Sequence, residues 1–68
     1  MASAHQFDLP FSIELWDETD KRVEELLALA GDYRVARAAY AEACKRRPGR
    51  VVTLRQKARV LADSRRER

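Results

Sequence analysis

A chain of 68 residues with one cysteine, Cys44, and one histidine, His5, has no internal staple. One cysteine forms no intrachain disulfide. Zinc asks for about four nitrogen or sulfur ligands, and these two lie far apart. A chain this short buries only roughly 60% of the surface that its unfolded form exposes. Stability then rests on one small apolar core or on association with a partner or a second copy. No cofactor is expected. No apolar run approaches the ~20 residues needed to span a bilayer, and "MASAHQFDLPF" lacks the basic and apolar regions of a secretory signal. With the lone cysteine, this points to the cytoplasm and away from the membrane.

The clearest local pattern is "FSIELW", residues 11–16. Phe11, Ile13 and Leu15 alternate with Ser12, Glu14 and Trp16, as in a strand covered on one face. Trp16 falls on the second face. In "DETDKRVEELLALAG", Val23, Leu26, Leu27 and Ala30 recur at helical spacing, and Asp20, Glu24 and Glu25 suit the early turns of a helix. Asp17 or Thr19 is the expected cap, and Gly31 the left-handed exit. Asp32 is placed to cap a second helix from Tyr33 to about Arg47. Its alanines at 36, 38, 39, 41 and 43 favour a helix and let a neighbour approach closely. With so short a connection the two segments read as an antiparallel helical hairpin.

Pro48 and Gly49 stop that helix, and "RVVTL" reads as a strand. Beyond it, Arg55 to Lys57 turns the chain and "ARVLADS" returns as a third strand, since two strands alone make a poor platform for helices. The alternative is a helix over 54–66, with Thr53 and Gln56 as a capping box. The expected fold is therefore α+β: an N-terminal strand, an antiparallel helical hairpin, then a C-terminal strand or β-hairpin. Residues 1–6 form a disordered leader, 7–64 a single domain and 65–68 a frayed basic tail.

The stretch "GDYRVARAAYAEACKRRP" resembles the second half of a tetratricopeptide repeat, with Gly31, Tyr33, Ala36, Tyr40, Ala43 and Pro48 in register. The preceding segment departs from that pattern at Asp20 and Glu24. The resemblance implies a tight helical hairpin with Tyr40 packed near its turn. One repeat does not bury its own apolar face, and no ligand-binding residue carries over. The "LPF…ELWD" opening and "RPGR…LR…RV.ADS" ending are similar to short bacterial proteins of unknown function, which implies no activity.

Charge divides the chain. Residues 1–44 hold four basic residues against nine acidic ones, and residues 45–68 hold ten against two. Such a split suits an anionic partner for the second half, or attraction between halves. Lys45, Arg46, Arg47, Arg50, Arg55, Lys57 and Arg59 are the candidate anion or nucleic-acid contacts. Lys45 to Arg47 also suit the negative end of a helix, and no aromatic residue interleaves with arginine from Gly49 onward. No phosphate loop, metal-spaced cluster or nucleophile elbow is present. Cys44 sits late in a helix, where thiolate formation is opposed, and reads as a packing residue. The expectation is a non-enzymatic interaction protein that binds a protein partner or a second copy through a sheet edge or helix face. Trp16, Ala36, Ala39 and Tyr40 are its candidate interface, and nucleic-acid binding through the basic half is the alternative.

Overall fold

The computed structural model describes residues 9–19 and 21–67; the expected leader at 1–6 lies outside them. Four strands and one helix follow in the order β1 (Phe11–Trp16), β2 (Val23–Ala30), α1 (Tyr33–Arg46), β3 (Val52–Gln56) and β4 (Arg59–Asp63), closed by a 3-10 turn at Ser64–Glu67. The strands form one sheet in the order β2-β1-β3-β4, antiparallel throughout. β1 is thus a central strand, and α1 carries the chain across it from β2 to β3.

The expected helical hairpin is not formed. Its second helix is α1, but its first is the strand β2. Six residues of β1 face eight of β2, and the two extra residues, Glu24 and Leu27, stand at bulges. Ser12, Glu14 and Trp16 oppose Leu29, Leu26 and Val23. Two bulges therefore stretch a period of two into a spacing of three, which imitates a helical face. Helix-forming Glu, Leu and Ala completed the imitation, and pairing with β1 overrode local propensity. Asp17 caps no helix. Its Oδ1 accepts from the Lys21 backbone N–H at 2.9 Å and the Thr19 hydroxyl at 3.0 Å, which closes the β1–β2 connection. The Lys21 bond is the main reason that the Asp17 carboxyl sits below its usual range. Gly31 likewise ends no helix and lies between β2 and α1.

Asp32 does cap α1: its Oδ1 accepts from the Val35 N–H at 3.0 Å. Ala36, Tyr40 and Ala43, at successive turns, are buried against the sheet. They meet Phe11, Ile13, Leu15, Val52, Leu54 and Ala62 in a single core. Small side chains at 36 and 43 bring the helix close, while Tyr40 fills the space between them. The Tyr40 hydroxyl donates to Glu67 Oε2 at 3.2 Å and so ties the 3-10 turn to the helix. Residues 65–67 of the expected tail belong to that turn. Arg47 and the turn through Gly49, at φ 82°, end α1 as expected from Pro48 and Gly49.

The C-terminal segment forms a β-hairpin and not the alternative helix. At its turn Lys57 holds φ 56°, the left-handed region that suits glycine. Lys57→Gly is therefore expected to raise unfolding stability by about 0.5–1 kcal/mol, read from urea denaturation. A loss of stability would show that the lysine stem contributes more than its backbone costs.

Candidate interaction face

The helix covers one face of the sheet. Pairing places Ser12, Glu14 and Trp16 of β1, Val23, Leu26 and Leu29 of β2, Thr53 and Arg55 of β3, and Val60 and Asp63 of β4 on the other. At the centre of that open face Thr53 is only 1% exposed. Its hydroxyl accepts from Trp16 Nε1 at 2.9 Å and donates to Glu14 Oε1 at 3.4 Å. Arg55 Nη2 donates to Glu14 Oε2 at 2.7 Å, and its Nε lies 2.7 Å from Oε1. A buried carboxylate is tolerated here because a guanidinium faces it, with Nη2 donating a hydrogen bond and Nε in ion-pair contact.

Two further bonded groups frame the centre. Asp63 is gripped by Arg65, whose Nη2 donates at 2.7 Å and whose Nε and backbone N–H donate at 3.0 and 2.9 Å. The Arg65 guanidinium holds the Asp63 carboxyl below its usual range, against the opposing effect of burial. Arg50 Nη2 donates both to the Trp16 carbonyl and to Glu24 Oε1, each at 2.9 Å, and so ties β1 and β2 to the start of β3. Around this polar interior stand exposed apolar side chains: Leu26 is 52% exposed, Leu29 47% and Val60 37%.

The residues expected at an interface separate. Trp16 lies half-buried on the open face, whereas Ala36 and Tyr40 are buried under the sheet and Ala39 is half-buried beside them. The basic residues scatter. Lys45 and Arg46 both pair with Glu42 on α1, at 3.7 and 2.8 Å. These pairs keep the Glu42 carboxyl below its usual range. Arg47 follows the helix, Arg55 is held by Glu14, Lys57 sits in the hairpin turn, and Arg59 starts β4. Cys44 is half-buried, and burial pushes its thiol up, away from the reactive thiolate.

A hollow of about 240 Å³ is lined by Cys44, Arg47, Gly49, Arg50, Ser64 and Glu67. It is smaller than the usual range for ligand pockets, roughly 300–1,000 Å³. A shallower hollow of about 310 Å³ between β2 and α1, lined by Leu27, Ala28, Ala39 and Arg46 among others, lies at the low end of that range. Among the described residues no group of three or more His, Cys, Asp or Glu side chains is placed to hold a metal ion, and no helix is long and apolar enough to cross a membrane.

Leu26, Leu29, Val60, Glu14 and Thr53 were not among the expected site residues. Leu29 carried a signal, since the helical reading of 20–30 left it outside the apolar face. No protein-family model, curated protein or solved structure matches this chain.

The Glu14–Arg55 pair is open to a double-mutant cycle. Glu14→Leu alone leaves Arg55 without its carboxylate and is expected to cost about 2–3 kcal/mol. Glu14→Leu with Arg55→Met is expected to cost less than Glu14→Leu alone. Costs that simply add would mean that the pair is not coupled.

Proposed function

We propose that this chain is a small non-enzymatic interaction domain that binds a protein surface through the open face of its sheet. The observation that carries the reading is the ring of exposed Leu26, Leu29 and Val60 around a polar centre already bonded within the chain. Binding there removes apolar surface from water without stripping partners from Thr53 or Glu14. The favourable term is about 25 cal/mol per Å² of apolar area covered.

The sheet edges suit a partner less well. β2 carries two bulges with Glu24 and Glu25, and β4 is a five-residue strand with Leu61 at a bulge. Bulges and charges of this kind blunt edge pairing. On the helix Ala36, Tyr40 and Ala43 are spent on the core, and exposed Tyr33 and Val35 stand at its first turn, apart from the open face. The nucleic-acid alternative is weakened by the ion pairs that Lys45, Arg46, Arg50 and Arg55 already make. Catalysis gains no support from a thiol pushed towards its neutral form.

The test is the double variant Leu26→Asp with Leu29→Asp, both at exposed positions, with helix and sheet content checked by circular dichroism. Association of the wild-type chain is read by sedimentation for copies of itself, and by retention of other proteins on the immobilised chain. The folded variant is expected to lose at least tenfold in affinity. Association unchanged in the variant, or none in the wild type, contradicts the proposal.

A further inference from the structure

We propose that the 3-10 turn Ser64–Glu67 is a strap whose closure prepares the open face for docking. Closed, it pairs and covers Asp63; open, it leaves that carboxylate bare at the flank of the face. The consequence for docking rests on the open face being the working surface.

The strap is held by polar contacts. None of its four residues is buried. At one end the Ser64 hydroxyl takes over where the β3–β4 ladder stops at Thr53 and Asp63. It accepts from the Val52 N–H at 2.9 Å and donates to the Arg50 carbonyl at 3.2 Å. At the other end Glu67 Oε2 accepts from the Tyr40 hydroxyl at 3.2 Å. The hollow of about 240 Å³ lies between strap and helix end, with Cys44 and Arg47 on one side and Ser64 and Glu67 on the other. A segment with no buried anchor and a hollow beside it opens at lower cost than the core that holds Tyr40.

Arg65 carries the state of the strap to the open face. Its backbone N–H, Nε and Nη2 donate to Asp63 at 2.9, 3.0 and 2.7 Å. Asp63, which pairs with Thr53 on that face, is only 5% exposed. It therefore enters the face as a bonded, covered group. When the strap lifts, Arg65 leaves with it and the carboxylate is left to water. A partner that then covers the face has to strip water from a bare charge, which costs more than covering a bonded pair. Closure thus favours docking, and docking favours closure by the same linkage. The Glu67 anchor lies on the helix side of the sheet, so a change there is read out on the opposite face.

The test compares the full wild-type chain with the double variant Ser64→Ala, Glu67→Ala, which removes both anchors and alters no residue of the open face. Labelling of Cys44, the only cysteine, by a neutral thiol reagent reads the strap, because the thiol lines the hollow beside it. The variant is expected to label at least threefold faster, at a rate that changes little in urea below the unfolding transition. A rate equal to the wild type, or one that climbs with urea as steeply as global unfolding, overturns the strap. Titration of the Asp63 carboxyl by carbon NMR reads the link. Arg65 holds this group below its usual range in the closed strap, so it is expected to titrate higher in the variant; no upward shift overturns the link. Association, measured as for Leu26→Asp with Leu29→Asp, is expected to weaken at least threefold and to recover when Asp63→Asn is added, since no charge is then left to expose. Unchanged affinity, or weakening without recovery, overturns the role in docking. If the wild-type chain does not associate, the open-face reading fails, and labelling and titration still decide the strap.

Discussion

The pairing of β1 on both of its edges is the constraint on which the rest of the structure depends. Ile13 is hydrogen-bonded into a ladder that places Ala28 on one side of it and Leu54 on the other. The alternation of this one strand then sorts the sheet into two faces. Phe11, Ile13 and Leu15 point to α1 and build the core, while Ser12, Glu14 and Trp16 point away. A single 14-residue helix, about 21 Å long, covers one face and leaves none of its length for the other. Among the described residues the other face therefore carries no second layer. Its centre survives next to water because Trp16, Thr53, Glu14 and Arg55 Nη2 are joined in one chain of hydrogen bonds.

Legibility in the sequence follows from how locally each element is determined. β1 was readable because its period of two is unbroken over six residues. α1 was readable because Asp32, the alanines and Pro48-Gly49 mark its start, body and stop. β3 was readable from its valine and threonine content, whereas β4 stayed open against a helix over 54–66, since Leu61 at the bulge breaks the alternation. β2 was not readable. Its two bulges shift phase at Glu24 and Leu27, and its side chains prefer a helix, so only its fit against β1 selects the strand. The error was non-local in origin, and it carried a second one: a helical hairpin has no open sheet face beside it.

The candidate site was legible only in part for the same reason. Trp16 was placed on the correct face of its strand by alternation alone. Glu14 and Arg55 are 41 residues apart and meet only through the β1–β3 register. The boundary between an acidic and a basic half, visible in the sequence, takes on a spatial meaning in the fold. It runs between β1 and β3, so that the acidic strands lie on one side of the sheet and the more basic pair on the other. The basic cluster "CKRRPGR" becomes structural: Cys44 packs, Lys45 and Arg46 pair with Glu42, and Arg50 binds the Trp16 carbonyl.

Every functional statement above requires residues 23–30 to be a strand paired to β1. Interstrand nuclear Overhauser contacts in the isotopically labelled chain test this most directly. The account predicts contacts from Ser12 to both Leu29 and Arg55, with none of the i to i+3 contacts of a helix between Val23 and Ala30. A run of such helical contacts along Val23 to Ala30, with Ser12 touching Arg55 alone, would contradict it.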